Sequence, residues 1–194
     1  MLKSKALEII AGSVDQCTLC KELADYRKEN DYKTVPGGGS PDADIMLIGE
    51  APGKNEAEQG MPFVGRAGNL LSNILEALNL SRDEVFIANI LKCRPPGNRD
   101  PEPKEAKNCR KFLNLQIECV DPDWIICLGR IASIHILDKD ATTSMGSMRG
   151  EHEKDGRKII CTYHPSYLLR NPAAKKQVWD DLKPIFALQQ QKLT

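Results

Sequence analysis

Apolar and polar positions along this chain change period several times, and each change marks an element. From 67 to 80, Leu70, Leu71, Ile74, Leu75 and Leu78 recur at three- and four-residue spacing, which predicts an amphipathic helix. Four shorter runs, 45–48, 85–91, 124–128 and 158–162, are apolar and mostly β-branched, and they predict buried strands. Helices are predicted over 3–11, 103–118 (with Pro103 in the first turn), 129–137 and 175–190. The charged stretch 26–33 reads as helical or irregular. Residues 35–40, with three consecutive glycines, read as a flexible loop, and 139–156 as a hairpin or long loop.

Strand and helix alternate four times. This predicts one α/β domain over residues 1–194, with a parallel sheet and helices on both faces. In such a sheet the loops at the carboxyl ends of the strands gather on one edge, where ligands bind. Those loops are 49–65, 92–101, the neighbourhood of Gly129, and 164–172. Glu50, Phe63, Asn89, Cys93 and His164 are therefore expected to be neighbours although they are far apart in sequence.

Composition narrows the partners. Lys+Arg and Asp+Glu both number 27, so the net charge is zero, which argues against indiscriminate binding of polyanions. Local basic segments remain. Residues 92–111 hold seven Lys/Arg against three acids, and 164–176 hold Arg170, Lys175 and Lys176 with no acid. No apolar run approaches the ~20 residues of a membrane span, and the N-terminus lacks a signal-peptide pattern, so a cytoplasmic location is expected.

The seven cysteines divide into two groups. Cys119, Cys127 and Cys161 lie in apolar surroundings and read as core. Cys17 and Cys20 form a C-x2-C in a loop, while Cys93 and Cys109 lie in charged contexts. Four such thiols suit zinc or an iron–sulfur cluster, and their spacing does not choose between the two.

Four segments carry a family likeness: Gly49 to Gly53 (GEAPG), Pro62 to Gly68 (PFVGRAG), Asn89 to Arg99 (NILKCRPPGNR) and His164 to Arg170 (HPSYLLR). In this order, with a C-x2-C followed by a C-x15-C, the chain resembles the family 4 uracil-DNA glycosylases of bacteria and archaea. The resemblance covers about residues 17 to 182. It implies a three-layer α/β/α sandwich around a central four-stranded parallel sheet. It also implies a [4Fe–4S] cluster on Cys17, Cys20, Cys93 and Cys109. The implied activity is monofunctional hydrolysis of the N-glycosidic bond of uracil in single- or double-stranded DNA, by a monomer in a prokaryotic cytoplasm.

The residues themselves suit that chemistry. A glycosylase flips its target nucleotide into a pocket. Phe63 offers a stacking face, and the Asn89 amide pairs one acceptor with one donor, matching uracil N3–H and O4 and opposing cytosine. His164 can stabilise the departing uracil, and Glu50 can orient water or the cationic sugar. Gly49 and Ala51 complete the expected base-binding loop. Ala51 stands where the best-known uracil glycosylases have an aspartate, which leaves the activation of the water open. Glu56 is expected to exclude the thymine methyl. Ser166, Tyr167, Leu168, Leu169 and Arg170 are expected to contact DNA, the apolar ones as a wedge. Ala57 and Met61 depart from the commonest family pattern. A glycosylase of broader specificity and a non-catalytic, metal-stapled DNA-binding module are the alternative readings.

Overall fold

The computed structural model describes residues 2–192. In chain order these form α1 (Leu2–Asp15), α2 (Lys21–Glu29), β1 (Gly38–Gly39), β2 (Ile45–Gly49), α3 (Lys54–Gln59), α4 (Arg66–Ala77), β3 (Phe86–Asn89), α5 (Pro103–Val120), β4 (Trp124–Leu128), α6 (Arg130–Leu137), α7 (Met145–Met148), β5 (Gly150–Lys154), β6 (Arg157–Thr162), α8 (Pro165–Arg170) and α9 (Lys175–Lys192). The strands make one sheet in the order β1-β3-β2-β4-β6-β5.

The sheet is six-stranded and mixed, with two strands more than the four parallel ones expected. β3, β2, β4 and β6 pair in parallel, while β1 and β5 add antiparallel edges. Both additions have physical causes that an apolar pattern does not display. β5 alternates half-buried and exposed residues because it lies at the edge, and a tight turn at Asp155 and Gly156 folds it back onto β6. β1 is formed by the glycines read as a flexible loop. At Gly39, φ is +128°, and a Cβ there would collide with the carbonyl oxygen of Val85. The glycines thus allow close backbone approach.

Residues alternate cleanly across the inner strands. Ile45, Leu47, Ile87, Ile126 and Ile160 face one side, where Leu71, Leu75 and Leu78 of the α4 region and Val178, Leu182 and Ile185 of α9 cover them. Met46, Ile48, Ala88, Ile125 and Cys127 face the other, against Ala106, Leu113 and Val120 of α5 and Ala132, Ile134 and Ile136 of α6. Cys127 and Cys161 lie directly opposite each other in β4 and β6 and are fully buried, as the core reading expects. Cys119 is only partly buried, against the α1 face of α5.

One buried polar network anchors the carboxyl end of β6. The Arg149 guanidinium donates to both Asp181 oxygens, at 3.0 and 2.8 Å, and the Thr162 hydroxyl donates to the same carboxylate at 2.6 Å. Arg149 also stacks over the ring of Tyr163, 4.9 Å away. The network therefore fixes the end of β6, immediately before His164. Asp181→Ala would leave the mostly buried Arg149 without its countercharge, and breaking a buried pair from one side is strongly destabilising. Urea denaturation is expected to show a loss of about 3 kcal/mol.

Candidate active site

The carboxyl ends of the parallel strands surround a cavity of about 620 Å³. Its wall holds Glu50, Ala51, Phe63, Asn89 and His164, with Ser166, Tyr167 and Arg170 at one side. The topology thus brings together the loops after β2, β3 and β6, as expected for this architecture. Of the residues expected at the base and DNA surfaces, Gly49, Leu168 and Leu169 do not line the cavity. Leu168 is only 1% exposed and packs into the core between sheet and helices, because residues 165–170 form a short helix rather than a loop. Tyr167 and Leu169, at 37% and 40% exposure, are the apolar side chains this segment presents outward.

Gly49 stands behind the wall and determines its shape. It is in register with Asn89 in the neighbouring strand. A Cβ at Gly49 would collide with Asn89 Oδ1 and lie 2.7 Å from Phe63 Cζ. The absent side chain lets the amide and the ring meet. Phe63 adopts φ +53°, a left-handed conformation that is unusual for an aromatic residue and stores strain of order 1–3 kcal/mol. The loop is held in place by Arg82, which donates to the carbonyls of Phe63 (3.1 Å) and Pro62 (2.7 Å). Gly68 completes the fit, since a Cβ there would strike the Phe63 carbonyl. The Phe63 and His164 rings lie 5.6 Å apart, inclined at 32°.

Glu56 has a structural task. Its Oε1 accepts from the backbone N–H of Val64 (2.9 Å) and Gly65 (2.8 Å), capping the start of α4 next to Phe63. Glu56 also lines the cavity, where its expected role against a thymine methyl would be exerted.

His164 is the N-cap of α8. Its Nδ1 accepts the Ser166 backbone N–H at 3.1 Å and lies 2.8 Å from the Ser166 hydroxyl. An accepting Nδ1 places the proton of the neutral ring on Nε2. Burial, aided by the Arg170 charge, lowers the His164 pKa to about 4, so the ring is neutral near pH 7. Gly129, at φ +91°, leaves room for the ring: a Cβ there would lie 2.9 Å from His164 Cβ.

Glu50 behaves in the opposite sense. Burial and the nearby Asp100 carboxylate raise its pKa to about 7, against a smaller opposing effect from Arg130. Asp100 and Arg130 pair at 3.3 Å across the cavity wall, and Arg130 also donates to the Ala141 carbonyl at 2.7 Å. Asn89 is buried, and its Nδ2 has no hydrogen-bond partner among the described residues.

Beside this wall lie the four selected cysteines, none in a disulfide. Cys20, Cys93 and Cys109 share an apolar cluster with Leu23, Leu91 and the cavity residue Ala51. Burial raises their thiol pKa values, that of Cys109 to about 11, and Cys17 is near enough to raise those of Cys20 and Cys93 further. Arg27 donates to Cys93 Sγ and Asn108 to Cys20 Sγ, each at 3.4 Å.

The family model described as the uracil DNA glycosylase superfamily matches residues 36–183. A type-4 uracil-DNA glycosylase of Saccharolobus solfataricus is 44% identical, over 92% of this chain and 84% of its own length. That of Archaeoglobus fulgidus is 40% identical over 92% of each, and that of Thermotoga maritima 41% identical over 87% of this chain and 86% of its own. The chain belongs to the type-4 uracil-DNA glycosylase family. In this family member the sequence reading missed Arg82 and Asp100, which lie in charged stretches indistinguishable from a solvated surface, and Arg130, a single cation in an otherwise apolar run. It also placed Lys92 on a basic outer face, whereas Lys92 is buried. Arg99 and Arg110 of that run are likewise engaged with Glu105 and with the His135 carbonyl.

The raised Glu50 pKa has a thermodynamic consequence. Between its ordinary value of 4.5 and about 7, the folded chain holds a proton that the unfolded chain releases. Glu50 therefore contributes stability at acid pH that is lost as pH rises through this window. Carbon-13 NMR of labelled glutamate should give Glu50 a midpoint near pH 7, and Asp100→Asn should lower it.

Proposed function

We propose that this chain removes uracil from DNA by hydrolysing its N-glycosidic bond, leaving an abasic site. The observation that carries this is the buried, unpartnered Asn89 Nδ2 at the wall of a cavity that Phe63 and His164 also line. A buried donor without an acceptor costs about 1–3 kcal/mol. Uracil O4 supplies that acceptor, and uracil N3–H donates to Asn89 Oδ1. Cytosine would oppose both groups.

The cavity lies at the loop edge, so the base reaches it flipped out of the helix. The Phe63 ring stacks on the pyrimidine, worth about 1–3 kcal/mol. As the C1′–N1 bond breaks, its electron pair moves into the uracil ring. His164 Nε2–H donates to the charge growing on O2, and a neutral imidazole suits this role because it stabilises the anion by hydrogen bonding. The sugar becomes cationic and is attacked by water. Ionised Glu50 orients that water and takes its proton. The cation-bearing rim, with Lys54, Arg66 and Arg170, holds phosphates, and Tyr167 and Leu169 are placed outward to occupy the gap left by the flipped base.

His164→Ala is expected to slow excision by about 10²–10³, and Asn89→Asp to weaken uracil recognition, both measured by single-turnover cleavage of uracil-containing oligonucleotides. Parental rates in both variants would contradict these roles. The rate should rise with pH to a midpoint near 7, as Glu50 ionises, and then level off; Glu50→Gln should remove that rising limb.

The four cysteines fit a [4Fe–4S] cluster. Among the described residues, the only group of three or more candidate ligands with donor atoms all within 4.8 Å is Glu22, Glu102 and Glu105. The cysteine sulfurs are thus spread more widely than the roughly 3.8 Å edges that a tetrahedral zinc with 2.3 Å bonds requires. The Arg27 and Asn108 N–H groups also suit cluster thiolates, whose sulfurs accept such bonds. When bound, the cluster supplies a cross-link between the N-terminal segment, the loop after β3 and helix α5. Protein purified without oxygen should be brown and carry about four irons per chain. A colourless, zinc-loaded protein would contradict the assignment.

A further inference from the structure

Lys92 is the largest fully buried side chain in the protein, at 1% exposure. No carboxylate pairs with it within 4.0 Å among the described residues. Its ammonium donates to the backbone carbonyl of Asn89 at 3.0 Å and to Gln116 Oε1 at 2.6 Å. Gln116 is buried as well, and its Nε2 donates to the Pro36 carbonyl at 2.7 Å. Burying a lysine with no carboxylate beside it is costly, and an apolar side chain of similar length would fill the space without that cost. The hydrogen bonds show what is gained in return.

They close on one peptide unit. Its C=O is that of Asn89, held by Lys92, and its N–H is that of Ile90, which donates to the Gly49 carbonyl at 2.9 Å. The following N–H, of Leu91, donates to the Glu50 carbonyl at 3.0 Å. Both polar ends of the peptide leaving Asn89 are therefore fixed. The Asn89 Nδ2 has no partner of its own, so the direction of its side chain depends on the backbone and on packing against Gly49.

We propose that Lys92 and Gln116 are positioning residues for Asn89: they fix the peptide at the end of β3 so that the amide enters the cavity already aimed at the base. Gln116 lies seven residues after Cys109 on α5, so the same helix that carries a cysteine of the cluster also braces the base reader. Neither Lys92 nor Gln116 touches substrate. The proposal rests on Asn89 being that reader. Misplacement of a binding group by about 1 Å can cost about 10²-fold in rate.

The test is a double-mutant cycle in the full chain. Gln116→Leu removes the acceptor with little change in volume, Gln116→Met is a second apolar form, and Gln116→Glu restores the acceptor. Single-turnover excision of uracil should fall about 10- to 100-fold in Gln116→Leu and return to within about threefold of the parent in Gln116→Glu. Inhibition by free uracil should weaken in parallel, while affinity for abasic DNA and cluster absorbance stay unchanged. In an Asn89→Ala background, Gln116→Leu should slow the reaction no further, because its effect passes through Asn89. An equal loss in both backgrounds, or no loss in the parent background with either apolar variant, would overturn the proposal. A parental rate in Asn89→Ala alone would instead overturn the role of Asn89.

Discussion

The site depends on the close approach that Gly49 permits at the end of β2. The parallel register sets Gly49 against Asn89, and the missing side chain admits both the asparagine amide and the Phe63 ring. Three chain segments therefore meet at a point where an alanine would not fit. Much of the surrounding structure maintains that meeting. Arg82 and Glu56 hold the loop carrying Phe63 in its strained left-handed turn, and Gly68 lets α4 pack against the Phe63 carbonyl. Gly129 makes room for His164 in the same way.

The electrostatics of the cavity reverse the order in which a carboxyl and an imidazole ordinarily titrate. Burial lowers the pKa of His164 and raises that of Glu50, so at neutral pH the histidine is an uncharged donor and the carboxylate is poised near its midpoint. The helix cap fixes which histidine nitrogen donates. Ala51 fits this arrangement. It lines the cavity on one side and packs against the apolar cysteine cluster on the other, where a carboxylate would be poorly solvated.

The sequence made the inner part of the fold legible because the four inner strands are buried on both faces and read as continuous apolar runs. The edge strands were not legible, for opposite reasons. β5 is too polar to stand out from a loop, and β1 consists of two glycines whose role is backbone approach. Glu50, Asn89, Phe63 and His164 were legible because a few side chains at strand ends carry specific chemistry. Leu168 was assigned to the DNA surface because a six-residue helix has too few positions to show a period. Lys92, which is buried, and Arg82, which is half-buried, were hidden because such a cation has the same local sequence as an exposed one. Their roles rest on acceptors that come close only after folding: the Gln116 amide for Lys92, and the Pro62 and Phe63 carbonyls for Arg82.

The central claim is that a cavity shaped by Gly49 reads uracil through Asn89 and releases it with help from His164. The most direct test is base release from labelled oligonucleotides carrying uracil, thymine, hypoxanthine or cytosine at one position. The account predicts release of uracil, with cytosine and thymine retained. Binding to the oligonucleotides with no base released from any of them, or release of cytosine as fast as uracil, would contradict it.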